Sequence, residues 1–537
     1  MPSSSRRAHD PSTSSSRDAY ELRPIAPKKE RDVCTDSEDE EEDQDEESRP
    51  ASPAASRLYS PTESATVRRK LDTHLVAFLA LLYSLSFLDR SNIGNARIAG
   101  LADDLRLTDS QYEWLLWAFY ITYIAFEWMT LLYRVIPAHV YISLCIAAWG
   151  VLASLQAAAT SFSALVVLRG LLGVSEAAFG PGVPFYLSFF FRREELALRT
   201  GLFISASPLS ASFAGLLAWG ITKAGESGSV SPWRLLFLVE GFPSVLVAVW
   251  AWDFVPDRPG TAAWLSGRER EVAVARVRDV DEDDHHGDAE IEGKQASTTP
   301  STHGLDFHAV LLTLKDPKCY LTAFMFFAAN VAFASLPVFL PTILRDMGHT
   351  ALTAQALTAP PYLFAFVVVL LTAYLSDRHQ SRAFYIIVHA LLAAAGYATL
   401  ALLGLFNIPA PTLRYLALFP ATSGFFSAIT IIITWTLNNQ ASASAKGAGV
   451  TVMNAIGQTG PLLGTSMFPT RDAPWYVPGM SVCASCMLLV ALLAGVLRWH
   501  LARLNRIRSR NFDAGMRSRG VYASVAGERR PSFDYIL

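Results

Sequence analysis

From Leu71 to about His500 the chain is a succession of apolar runs, each ended by one or two charges or by a Pro or Gly break. A helix needs about 20 mostly apolar residues to cross a hydrocarbon core. Twelve runs meet that length: 73–96, 112–133, 139–159, 162–186, 199–222, 233–255, 320–344, 357–376, 383–405, 412–436, 447–468 and 478–500. A polar stretch from Pro256 to Pro317, containing RERE, DVDEDDHHGD and STTPST, separates the sixth from the seventh. The pattern predicts an all-α membrane protein with twelve transmembrane helices in two six-helix bundles. The expected organisation is a disordered tail at 1–70, one bundle at 71–255, a cytoplasmic loop at 256–318, a second bundle at 319–500 and a basic tail at 501–537.

Composition agrees: the chain is 51% hydrophobic and 17% charged, with a mean hydropathy of +0.27. Globular domains average about 25% charged residues, so a two-domain soluble enzyme, a coiled coil and a largely disordered chain are all excluded. The net charge of -3 hides ten carboxylates between Asp36 and Glu47. The remainder is mildly basic, as expected where loops face anionic lipid. No basic stripe with interleaved aromatics is present, so nucleic acid is not an expected partner. Cys483 and Cys486 spell CxxC inside an apolar run without a second pair, which reads as helix packing rather than zinc or redox chemistry. No GxxxxGK[ST] is present, which argues against ATP-driven pumping, and neither cofactor nor metal is expected. Met1 to Pro61 lacks the apolar core of a signal peptide, so the first span is expected to insert the chain.

Short-loop charges leave orientation tied, with seven Lys or Arg on each side of the membrane. Arg68, Arg69 and Lys70 before the first span, and Arg498, Arg503, Arg506, Arg508 and Arg510 at the last, break the tie and put both termini inside. Two six-helix halves around a long inner loop are the architecture of secondary transporters of the major facilitator type, which rock one bundle against the other around a midplane site.

Ionisable groups inside hydrocarbon are costly and mark functional candidates. Asp89 and Arg90 fall about fifteen residues into span one, and adjacent helical positions diverge by about 100°, so they cannot share a face. One can face a cavity while the other meets a neighbouring helix. Arg suits a carboxylate, and Asp can carry a proton. Their bland alternative is a structural ion pair. Glu176 lies seven residues after Arg169 on nearly the same face, among Gly173, Ala177 and Gly180 at helix-contact spacing. Glu176 is a second proton-carrier candidate or a counter-charge to Arg90 or Arg169. Glu127, Glu240 and His389 read as structural. In the second half, Asn438 ends span ten, and Asn454 and Gln458 share a face of span eleven, where amides can bind substrate or tie helices together. AYLSDRHQSR places Asp377, Arg378 and Arg382 at a helix end suited to an inner gate.

That last segment resembles the Gly-x-x-x-Asp-Arg-x-Gly-x-Arg loop of the major facilitator superfamily, with Ala373 and Gln380 in place of glycines. RGLLG resembles the superfamily's fourth-helix motif through Arg169 and Gly173, with Leu172 where Gln is usual. FLDRSNIGNAR, GPGVPFYLSFFFRREELALRTGLFISASPLS, WRLLFLVEGFPS, FLPTILRDMG, ALTAPPY and NNQASASAKGAGVTVMNAIGQTGPLLG together resemble the fungal allantoate permease group of the anion:cation symporter family, which includes nicotinate, pantothenate and biotin transporters. The resemblance implies proton coupling at Asp89 and Glu176 and anion binding at Arg90; Arg169 is expected to take part in gating along with Asp377, Arg378 and Arg382. It also implies a plasma-membrane address, and a monomer is expected. FEWMTLLYRVIPAH keeps Glu127 but lacks the Pro-Ser-Asn that follows it in many members, which marks a divergent branch.

The reading favours proton-coupled uptake of a small organic anion. Its alternatives are efflux of a secondary metabolite and, from another class, a non-transporting nutrient sensor. An enzyme is not expected, because the His residues in the spans are isolated and His285 and His286 lie in the polar loop. Ser37 beside Glu38, Asp39 and Glu40 is a candidate kinase site in a tail too polar to fold. RWHLARLNRIRSR is basic and amphipathic, suited to lying on the inner leaflet.

Overall fold

The computed structural model describes residues 59–225, 230–277, 307–349, 351–440, 443–518 and 535–536. The acidic run, Ser37, His285 and His286 lie outside these residues. Eleven described helices are long and apolar enough to cross a membrane: Pro61–Ala96, Ser110–Arg134, Ala138–Ala158, Phe162–Leu187, Arg193–Ala218 and Pro232–Phe254 in the first half, then Pro317–Leu340, Ala356–Arg378, Ala383–Leu405, Pro411–Asn438 and Val477–Ile507. These are spans one to ten and span twelve. The expected eleventh is broken into Ala443–Gly457 and Gly460–Ser466.

Proline chemistry explains that break. Pro461 has no N–H to return to the carbonyl four residues back, which belongs to Gly457. Asn330 of span seven donates its Nδ2 to that carbonyl at 3.4 Å. Span four breaks for the same reason, its helix ending at Ala177, four residues before Pro181, and resuming at Gly182. Span two changes from α to 3-10 geometry between Ala125 and Glu127.

Pairing is repeated in the two halves. Span three packs on six as nine packs on twelve, two on four as eight on ten, and one on five as seven on eleven. The halves meet mainly through span five against eight and the end of span two against eleven. Ends of the helical body at Pro61, Phe254, Pro317 and Ile507 share one side, here termed the tail face. The opposite side is the far face.

Close approaches rest on glycine. A Cβ on Gly173 would stand 2.3 Å from both the Phe119 carbonyl oxygen and Thr122 Oγ1, so span four seats directly on span two. A Cβ on Gly457 would stand 2.2 Å from Phe326 Cδ1, a ring buried against the broken span. Gly457→Val is therefore expected to lower thermal stability in detergent by several degrees, since overpacking costs about 1–3 kcal/mol. A fluorescence melt that does not move would refute the tight seat.

Three boundaries differ from the sequence reading. Residues 61–70, expected in the tail, are helical, started by a capping box in which Ser60 Oγ accepts from the Glu63 N–H at 3.2 Å and Glu63 accepts from the Ser60 N–H at 2.7 Å. Central-loop residues 267–277 form a helix bound to the tail face by Lys70–Glu269 at 2.6 Å, Arg268–Glu63 at 3.0 Å and Arg276–Glu195 at 2.8 Å. The Lys70 hydrogen bond holds the Glu269 carboxyl below its ordinary range. RWHLARLNRIRSR continues span twelve as one helix, Val477–Ser518, instead of turning onto the leaflet, with no Pro or Gly between Val496 and Ala514 to break it. Tyr535 and Ile536 return to this face: the Trp435 indole donates to the Ile536 carbonyl at 2.7 Å, and Asn439 Oδ1 accepts from the Ile536 N–H at 3.0 Å.

Cys483 is buried beside Ser335, and no group of three or more metal-ligating side chains occurs among the described residues. His389 is held by Thr372 and by the Tyr385 carbonyl, both at 2.9 Å, as a packing histidine.

Candidate functional site

Each of the three broken crossings carries a buried polar side chain at its break: Glu127 in span two, Glu176 in span four and Gln458 in span eleven. Interrupted helices at membrane depth leave backbone groups free and are tolerated where they are buried in protein or line a cavity. Both halves of span eleven contact the helix Asp109–Ala125 of span two. The break in the second bundle thus faces the first across the interface.

Asp89 and Arg90 diverge as neighbouring helical positions must. Arg90 turns toward span four, where Nε and Nη2 donate to Glu176 Oε2 at 3.2 and 2.8 Å. Ser86, four residues earlier and so on the same face, donates to the same oxygen at 2.9 Å. Glu176 Oε1 is buried without a hydrogen-bond partner. The guanidinium lies 5.2 Å from the Phe119 ring centre and 4.9 Å from that of Tyr123, both on span two. Arg90 is 13% exposed where Glu176 is fully buried, so in this pair the cation is the accessible member. Asp89 instead turns into the first bundle, where Ser244 of span six donates to its Oδ2 at 3.2 Å.

Glu127 is buried, with neither oxygen hydrogen-bonded, and lies within Coulombic reach of Arg90. Its segment, Glu127–Arg134, packs on Ala443–Gly457. Phe87, three residues before Arg90, meets Phe333 of span seven edge-on at 6.4 Å, an aromatic contact between bundles.

The amides do not form one set. Asn454 is buried and returns its Nδ2 to the Val450 carbonyl at 2.9 Å. Gln458 still donates its backbone N–H to the Asn454 carbonyl at 2.8 Å, but it occupies the break, not the face of a continuous helix as expected. Asn438 lies toward the tail face, where its carbonyl accepts from Arg193 of the other bundle.

Asp377 accepts the backbone N–H groups of Ala197 and Leu198, at the start of span five, at 3.2 and 2.7 Å. The fully buried Arg382 pairs with it at 2.7 Å. Gln380 donates to the Glu194 carbonyl at 3.3 Å, so Asp377 and Gln380 both link the two bundles on the tail face. Arg378 is exposed beside them. Arg169 is elsewhere: it lies toward the far face, 5.9 Å from the Phe237 ring centre, separated from the Asp377 cluster with which it was expected to gate. Ser86 and Ser244 were missed by sequence reasoning, which weighed ionisable side chains; the four-residue spacing of Ser86 from Arg90 was the available signal.

Residues 79–465 match the model of the Major Facilitator Superfamily. The chain is 30% identical over 494 residues to the major facilitator-type transporter hxnP of Emericella nidulans, covering 90% of this chain and 95% of that one. It is 28% identical over 418 residues to the high-affinity nicotinic acid transporter of Saccharomyces cerevisiae, covering 78% and 74%. The solved proton:xylose symporter XylE shares the fold, with a TM-score of 0.57 at 13% identity, covering 78% of this chain and 94% of that one. With its paired six-helix halves and a matched stretch from residue 79 to 465, the chain belongs to the Major Facilitator Superfamily and is a multi-pass membrane transporter.

Proposed function

We propose that the protein is a proton-coupled importer of a small organic anion, a carboxylate, working by alternating access with the tail face in the cytoplasm. One observation carries this reading: a buried carboxylate, Glu176, holds the accessible Arg90 at the break of span four. Protonation of Glu176 weakens its hold, and the guanidinium fork then accepts a substrate carboxylate. Proton and anion enter as a neutral pair, so the loaded site reorients without moving net charge through hydrocarbon. Release on the other side returns Arg90 to Glu176. Asn454 and Gln458 shape the opposing wall, and Asn438, Asp377, Arg378 and Arg382 form the gate. Similarity to a nicotinic acid transporter supports an aromatic or heterocyclic carboxylate.

The test uses purified protein in proteoliposomes with an acid-outside gradient and labelled nicotinate, pantothenate, biotin, allantoate and short dicarboxylates. At least one should accumulate, and a protonophore should abolish accumulation. Loss of preloaded label in place of uptake would reverse the direction, and no movement of any probe would sink the substrate class.

A further inference from the structure

Inside the first bundle, away from the bundle interface, spans one, three, four and six each carry a buried polar side chain without a hydrogen-bond partner in their far-face halves. Asn92 lies one turn beyond Asp89 on span one, and Glu240 one turn before Ser244 on span six. These antiparallel helices are tied by the Ser244–Asp89 hydrogen bond, so the next turn outward brings Asn92 and Glu240 to the same height. Gly241 packs on Ser154 and Ala153 with a would-be Cβ distance of 2.7 Å to the Ser154 nitrogen, which sets Gln156 of span three beside them. Arg169 of span four reaches Phe237, one turn along span six from Glu240. All four are at most 4% exposed. Both amide atoms of Asn92 and Gln156, both oxygens of Glu240, and Nε and Nη2 of Arg169 have no hydrogen-bond partner.

Buried polar groups are rarely left in this state, and a cluster from four helices marks a place for water or an ion. Its charges are unequal. The carboxylate of Glu240 and the guanidinium of Arg169 both act on Asp89. Glu176 also acts on Asp89 and on Arg169, while Tyr112 and Tyr120 are the other titratable groups near the guanidinium. Arg90 balances Glu176 and Arg169 acts on Asp89, so the unpartnered Glu240 is the carboxylate left for a proton to neutralise.

We propose that Glu240 is a third proton-carrying group, which passes its proton by way of Ser244 and water to Asp89 on a polar track entered from the far face. The transfer changes O–H bonds alone: Glu240 loses the proton, Ser244 relays one, and Asp89 Oδ2 gains one. Asp89 then carries the charge change to the level of Glu176, from inside the bundle and not from the substrate cavity. This inference rests on the proton-coupled reading above and adds the route by which the proton arrives.

The experiment compares wild type, Glu240→Gln and Asp89→Asn in proteoliposomes with labelled nicotinate. Two readouts are taken: accumulation driven by an acid-outside gradient, and exchange with preloaded nicotinate, which needs no net proton movement. Glu240→Gln should reduce accumulation about tenfold and flatten its pH profile while exchange falls by less than about threefold, a split a packing defect would not produce. Equal loss of both, or an unchanged pH profile, overturns the proposal. Infrared difference spectra of the protein without substrate supply an independent readout: a protonated-carboxyl band present in wild type should be missing in Glu240→Gln. If that band is lost while wild type accumulates no nicotinate, the substrate reading fails and the proton site stands. If replacing sodium by choline abolishes the response, the site holds sodium and the proton proposal fails.

Discussion

Replacing Arg90 with alanine should abolish uptake, and Arg90→Lys should recover little of it. The guanidinium makes two hydrogen bonds to one Glu176 oxygen and lies against the faces of Phe119 and Tyr123. An ammonium offers neither the planar fork nor the same stacking. Losing a buried partner of this kind costs about 3 kcal/mol, which corresponds to roughly a 150-fold fall in uptake rate. Alanine also leaves Glu176 without its counter-charge, so reduced expression of the single variant would be ambiguous. The double variant Arg90→Ala with Glu176→Gln removes that penalty: it should restore a folded, monodisperse protein without restoring uptake. Undiminished uptake of a carboxylate in either variant would remove Arg90 from the binding site.

Asp377→Ala should open the tail face and slow uptake at least tenfold. Its carboxylate bridges the bundles by accepting two N–H groups at the start of the helix Leu196–Gly225, where the helix dipole favours an anion. The Arg382 pair lies wholly within the second bundle and persists when the bundles separate. Its loss therefore destabilises the fold without biasing one state. The bridging bonds are the ones that exist in the closed state alone, and charge-assisted bonds of this type contribute about 1.5–3 kcal/mol. Removing about 2 kcal/mol shifts the equilibrium roughly 30-fold toward the open tail face. Pulsed spin-label distances across that face should lengthen in Asp377→Ala, with Asp377→Asn intermediate. Distances equal to wild type would show that the bridge does not gate.

Much of the site was legible from single residues. Asp89, Arg90 and Glu176 stood out because charges at membrane depth are costly, and their divergence followed from helical geometry. Pro181 and Pro461 each deny a hydrogen bond to the residue four before it, but Pro208, Pro243 and Pro420 sit inside unbroken helices, so proline alone did not locate the breaks. What was not legible was which groups meet. Asn454 and Gln458 share a helical spacing, yet the break separates their surroundings. Arg169 was expected to gate with the Asp377 cluster, yet the chain carries it toward the opposite face. Glu240 and Glu127 read as structural because, taken alone, a carboxylate near a helix end can find a cap. Burial without a partner is a property of the surrounding helices.

By itself, the sequence determined the all-α membrane class, the two halves and the charges that must be accommodated, because hydropathy and helix length act within one segment. Tertiary structure decided the rest: that Arg90 pairs with Glu176 while Asp89 turns to Ser244, that Asn330 satisfies the carbonyl freed by Pro461, and that Asn92, Gln156, Arg169 and Glu240 are buried in the first bundle without hydrogen-bond partners. Those outcomes depend on contacts between residues up to 155 positions apart, and no local pattern encodes which helix will stand beside which.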